Sequence, residues 1–151
     1  MASLADLLDE IADTLLAAVG PQVPGVEVQV TGRRNFNPTP PSIDVYPGDP
    51  FRETPDMSGY QQTMGDLILT VRARATTVDN IAGQDLLLRF MDEEDPISVA
   101  ALLMEDQTLN GLASSVYVEG NSGYLSYLEG GDDGGPLLGC EWRVRVLRVI
   151  T

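Results

Sequence analysis

Two stretches of this chain, far apart in sequence, alternate apolar and polar residues, and they constrain its fold more than any other feature. In the first, Leu67, Leu69, Val71, Ala73 and Ala75 alternate with Asp66, Ile68, Thr70, Arg72 and Arg74. In the second, Cys140, Trp142, Val144 and Val146 alternate with Glu141, Arg143 and Arg145. Successive side chains of a strand point to opposite faces, so each run predicts a long strand with one apolar and one polar face. The first is expected over residues 60–76 and the second over 138–150. The phase of the second breaks near Leu147, because Arg148 stands where an apolar residue is due. That predicts a bulge, or a change from one-sided to two-sided burial. Outward arginines on such strands have two readings, a solvated face or a clamp on the carboxylates of another subunit.

Helical spacing marks the rest of the framework. Leu4, Leu7, Leu8, Ile11, Leu15 and Val19 form one stripe, predicting a helix over 3–19 with Ser3 as cap, Asp6 in the capping-box position and Gly20-Pro21 as stop. Asp6, Asp9, Glu10 and Asp13 lie off that stripe, on a face expected to be solvated. A second helix is expected over 78–91 behind Thr77. A third is expected over 96–105, opened by Asp95-Pro96. Shorter strands are expected over 26–30, 42–46 and 114–119, with a short segment at 124–128. Two proline-rich stretches, 33–41 and 47–59, are too long to be idle in a small domain, and contact between subunits is their expected use. Glycine-rich turns are expected at 120–123 and 129–136.

At 151 residues the chain is long enough for one domain with its own core, burying roughly 70% of its unfolded surface. No apolar run approaches the roughly 20 residues that cross a bilayer. The start carries acids rather than the basic segment of a secretory leader, so synthesis in the cytoplasm is expected. The nine basic residues are all arginines, and the net charge is −14. That balance disfavours wrapping nucleic acid. It suits a surface that nucleic acid must pass without sticking, and equally the dispersal of concentrated protein, and composition alone does not separate the two.

Chemistry is constrained by what is missing. The sequence has no histidine and one cysteine, Cys140, which removes Ser–His–Asp and Cys–His catalysis and the usual zinc sites. Cys140 lies in an apolar run and is expected as a buried thiol. Asp92, Glu93, Glu94 and Asp95 are consecutive acids that point in different directions, a poor arrangement for a metal. Phosphate-cradle motifs are absent, and there is no lysine to complete one. No catalytic residue, cofactor or metal is expected, and the function class is non-enzymatic.

The element order is a capped helix, two short strands, a long strand, two helices and a final pair of strands. The segments that carry a resemblance are Leu67-Ile-Leu-Thr-Val-Arg-Ala-Arg-Ala, Val78-Asp-Asn-Ile-Ala-Gly-Gln-Asp-Leu-Leu, Leu103-Met-Glu-Asp-Gln-Thr-Leu-Asn-Gly-Leu and Gly139-Cys-Glu-Trp-Arg-Val-Arg-Val-Leu. Asp106-x-Thr-Leu-x-Gly111 is the most distinctive of them. The chain resembles the tail terminator proteins of siphophages, particularly those infecting actinobacteria. The resemblance implies an α+β fold over 1–151, a mainly antiparallel sheet packed on about three helices. It also implies a homohexameric ring at the head-proximal end of the tail tube, located in the virion, that ends tube polymerisation and joins tail to head. Its partners would be itself, the major tail tube protein and the head–tail connector or stopper protein, with DNA passing through the lumen and no membrane involved. Another ring of the head–tail junction is the alternative, and a tail-tube subunit a weaker one. In that setting Arg33, Arg34, Phe36, Phe51 and Arg52 are the expected contacts between rings. Arg72, Arg74, Arg143 and Arg145 are the expected partners, across subunits, of Asp92, Glu93, Glu94 and Asp95.

Overall fold

The first helix begins where the sequence places it. Ser3 Oγ accepts the Asp6 N–H and Asp6 Oδ2 accepts the Ser3 N–H, each at 3.0 Å, so the capping box is closed at both ends. The computed structural model describes residues 3–23, 25–36, 38–51, 64–77, 81–127 and 137–149. Within them lie three helices, α1 (Leu4–Gln22), α2 (Ile81–Met91) and α3 (Val99–Glu105). Six strands accompany them: β1 (Gln29–Thr31), β2 (Ser42–Pro47), β3 (Met64–Thr77), β4 (Ser115–Asn121), β5 (Leu125–Tyr127) and β6 (Leu137–Val149). The expected use of the 52–59 part of the second proline-rich stretch, the 60–63 start of the long strand and the 129–136 turn lie outside the described residues.

The strands form one mixed sheet in the order β1-β2-β3-β6-β4, with β5 pairing β6 beside β4. Its centre is the antiparallel β3–β6 pairing, which puts Val71 opposite Trp142 and Ala73 opposite Cys140. The β1–β2 pair is parallel, and the remaining pairs are antiparallel. The helices lie on one face: α1 over β1 and β2, α2 over β3 and β6, and α3 against β4 and α1. Leu7, Ile11, Leu15 and Val19 of α1 meet Ile43, Val45, Leu69, Val71 and Val144 in one continuous core, with Leu87 and Phe90 of α2 and Leu103 of α3. The fold is thus a single α+β domain.

Several details differ from the sequence expectation, the first strand among them, which runs Gln29–Thr31 rather than over 26–30. Helix α1 does not stop at Gly20-Pro21 but runs through both to Gln22. Proline there sacrifices only a hydrogen bond of the last turn, and Gly20 escapes the side-chain clash that proline imposes on its predecessor. Helix α3 starts at Val99, not at Pro96. Asp95 closes its own turn, accepting the Ile97 N–H on Oδ1 and the Ser98 N–H on its carbonyl, and Ser98 Oγ then caps the helix through the Ala101 N–H. Finally, the β3–β6 register runs unbroken past Leu147, and both Leu147 and Arg148 are half-buried. The phase break is therefore a change in burial rather than a bulge. Register shifts occur instead between Arg74 and Thr77 and between Val118 and Gly120.

Candidate functional site

Because helices cover one face of the sheet, the polar residues of β2, β3 and β6 converge on the other. Direct pairing sets Asp44 opposite Arg72, and Arg72 opposite Glu141. Arg72 donates Nε to Asp44 Oδ1 at 3.0 Å and Nη2 to Oδ2, a two-pronged grip. Arg74 Nη2 reaches the same Oδ2 at 3.3 Å and the Asn35 carbonyl at 2.7 Å. Arg72 and Arg74 are only 2% and 1% exposed, and Asp44 is fully buried. Burial is the largest influence on the Arg72 guanidinium and opposes its charge, but the Asp44 hydrogen bond and charge outweigh it and hold its pKa above the ordinary value.

This corrects the sequence reading of these arginines. They do not face solvent, and they cannot reach carboxylates of another subunit, because their partner Asp44 lies in the same chain and is sealed with them. The seal is the 32–36 turn. Asn35 accepts from both arginines on its carbonyl, donates its N–H to Asp44 Oδ2 at 2.9 Å, and donates Nδ2 to Gln29 Oε1 at 3.0 Å. The first proline-rich stretch is therefore a lid on its own sheet.

Aromatic rings complete the cover. The Arg34 guanidinium lies 5.1 Å from the Phe36 ring and 5.3 Å from that of Tyr46. Arg72 lies 5.0 Å from Tyr46 and 5.4 Å from Tyr127, and Arg74 lies 6.0 Å from Tyr127. Cations thus alternate with ring faces, each contact favoured by the ring quadrupole. Tyr127 is held from both sides. Its hydroxyl donates to Glu141 Oε2 at 2.6 Å, and its ring rests where Gly139 has no side chain. Burial raises the phenol pKa of Tyr46 to about 12 and, with the Glu141 hydrogen bond, that of Tyr127 higher still.

A second, more open cluster lies along β6. Arg145 grips Asp66 through Nη1 at 2.7 and 2.8 Å and donates Nε to Glu119 Oε2 at 3.0 Å. Arg143 donates Nε to Glu119 Oε1 at 3.1 Å. The Arg145 hydrogen bond, then that of Arg143, holds the Glu119 carboxyl below the usual range. Between the clusters runs a shallow groove of about 340 Å³, lined by Asp49, Thr70, Asn121, Ser122, Glu141 and Arg143 among others.

The other residues singled out in the sequence fall as follows. Arg33 pairs with Asp9 of α1 at 3.0 Å, and Arg34 stacks as described. Phe36 is 66% exposed, Phe51 packs partly against the core, and Arg52 lies outside the described residues. Asp92, Glu93 and Glu94 form an exposed turn after α2. Asp95 belongs with Arg89 at 3.1 Å, and its Ile97 N–H bond holds its pKa low. Arg143 pairs with Glu119, and Arg145 with Glu119 and Asp66, all within the same chain. Cys140 is buried, and burial pushes its thiol up to about 11, away from reactivity. Among the described residues no group of acids, cysteine or histidine is placed to hold a metal.

Asp44, Tyr46, Asp66, Glu119, Tyr127 and Glu141 complete this surface but are not singled out by sequence. The available signal was Asp44 standing between Ile43 and Val45, a carboxylate in mid-strand. No family model matches the sequence, and it matches no curated protein. No helix among the described residues is long and apolar enough to cross a membrane.

Proposed function

We propose that this chain is a structural subunit of the tail-terminator class, working as a homohexameric ring that caps the head-proximal end of a phage tail tube. In this reading the ring ends tube polymerisation and offers its other side to the head connector or stopper. DNA passes through its lumen in the virion. The function is interface geometry, not catalysis.

The observation that carries the reading is the one-sided sheet. Among the described residues, three helices cover one face, while the other carries the 32–36 turn over its buried ion pairs, stacked rings and a shallow groove, and no helix. Such a slab has two chemically different broad faces, which suits repeated face-to-back packing better than a twofold dimer. The element order and the Asp106-x-Thr-Leu-x-Gly111 segment that carry the resemblance support the same class. In the structure that segment is a turn built by Asp106, which accepts the Thr108 N–H, the Thr108 hydroxyl and the Asn110 N–H. It anchors buried Leu109 through three successive left-handed residues, Leu109, Asn110 and Gly111. The net charge of −14 favours passage of DNA over adhesion.

The test is electron microscopy of the purified chain, alone and mixed with tail-tube subunits. Single sixfold rings, seated on one end of each tube and limiting its length, are the expected result. Filaments of the chain itself would overturn the reading and point to a tube subunit.

A further inference from the structure

Phe36 is an anomaly on this surface: a phenylalanine 66% exposed, mounted on a turn fastened at Asn35, and flanked by exposed Arg33 and Arg34 in a chain of net charge −14. Of the arginines described, these two are the ones that stand together and exposed. Arg33 already meets Asp9, but both side chains are more than half exposed, so water and salt make that pair weak and exchangeable.

A complementary surface lies on α2. Ile81, Asp85, Leu88 and Asp92 follow one another at helical spacing and make one outward stripe. Ile81 is 73% exposed and Leu88 51%, although Leu87 and Phe90 of the same helix are buried in the core. Asp85 and Asp92 are exposed, and the acidic turn continues through Glu93 and Glu94. Single exposed apolar residues are ordinary. Here two share a stripe with carboxylates, just as Phe36 shares a turn with guanidiniums.

These two patches do not meet within the described molecule, although Arg33 reaches α1 through Asp9. Arg34 and Phe36 lie with Tyr46 on the sheet face opposite the helices, because Tyr46 shares the face of Asp44 and Arg72. Helix α2 packs on the other face. We propose that they meet between copies of this chain: Phe36 of one copy seats on Ile81 and Leu88 of the next, with Arg33 and Arg34 facing Asp85 and Asp92. The contact uses different patches on its two sides, so it is head-to-tail and repeats until it closes or extends. It rests on the reading of the chain as a ring subunit, and names the surface by which the ring would close.

The experiment is light scattering of the full chain over a concentration series, with Phe36→Asp and Leu88→Asp as single variants. Both positions are exposed, and unchanged thermal melts would show that both variants fold. The expected result is a wild-type multimer, each variant falling to the 16.3 kDa single chain, and a dimer when the two variants are mixed, since each retains one intact face. A Phe36→Cys/Leu88→Cys variant should form disulfides only between chains on mild oxidation, with buried Cys140 silent. A wild type that stays monomeric, or multimers that survive both substitutions without cross-linking, overturns the proposal. In the second case sixfold rings would keep the ring reading intact. Cross-linking into open filaments would do the reverse, upholding the contact and sinking the terminator. A monomeric chain whose binding to tail tubes is lost in Phe36→Asp would assign the patch to the tube protein, and also overturns the proposal.

Discussion

Asp44 and Arg72 face each other directly across the β2–β3 pairing, joined by two hydrogen bonds and closed off from water, with Arg74 sharing the same carboxylate. Replacing one partner of such a group leaves charge stranded in a dry place. Asp44→Asn keeps the shape but removes the charge that two buried arginines share. We expect it to lower stability by about 3–5 kcal/mol, measured by urea unfolding. A loss within experimental error of zero would mean that the arginines find water or another acceptor.

Gly139 is required by contact rather than by backbone conformation. A Cβ there would stand 2.3 Å from the Ala73 carbonyl oxygen and 2.7 Å from Tyr127 Cε2. Gly139→Ala should therefore push β3 and β6 apart and lift Tyr127 from Arg74, at a cost of about 1–3 kcal/mol or more. Thermal melting reads the first effect and the near-ultraviolet tyrosine signal the second. A variant that melts like the wild type with an unchanged tyrosine signal would refute this account of the stack.

Stability should be flat through neutral pH and fall on both sides. Glu119 is held low by Arg145, Asp6 by the Ser3 N–H, Asp95 by the Ile97 N–H and Asp106 by the Thr108 hydroxyl. Each folded pKa lies below its unfolded value, so the unfolded chain takes up protons first as pH falls. The contribution is complete above the ordinary values of 4.5 and 3.8 and is lost below them. On the alkaline side the order reverses. Burial lifts Cys140 from 9.0 to about 11 and Tyr46 from 10.0 to about 12, so the unfolded chain loses protons first and stability declines from about pH 9 upward. Urea unfolding across pH tests this. Arg145→Gln should shallow the acid limb, and Cys140→Ala should delay the alkaline one.

The capping box of α1 gives the simplest test. Ser3→Ala removes the acceptor for the Asp6 N–H and the reason for Asp6 to fold back. A loss of about 1 kcal/mol is expected. Because α1 carries much of the core in Leu7, Ile11, Leu15 and Val19, this loss should appear in global unfolding rather than in local fraying. Hydrogen exchange confined to the first turn would contradict that coupling.

What the sequence made legible was whatever repeats with a regular period. The stripe from Leu4 to Val19, the strand around Trp142 and the apolar face of Leu67, Leu69, Val71, Ala73 and Ala75 are local patterns, and the structure reproduces them, although it buries much of the opposite face of that strand as well. Arg72 and Arg74 were misread for a physical reason. Alternation assigns a residue to a face but does not say what covers the face, and their partner Asp44 is 28 and 30 residues away. Only strand register brings it beneath them. The start of α3 failed differently: Asp95 uses its carboxylate on the Ile97 N–H and on Arg89, and Ser98 Oγ caps the helix through the Ala101 N–H instead.

The fastening of the 32–36 turn has a kinetic consequence. Asn35 ties that turn to Asp44, Arg74 and Gln29 before any partner arrives, so Phe36 is held on a fixed mount rather than on a floppy tether. A surface that meets it need not freeze a loop, and the ordering entropy that opposes most loop-mediated encounters has already been lost during folding. Recognition there becomes a matter of orientation alone, and its rate should track diffusion and ionic strength instead of a slow conformational step.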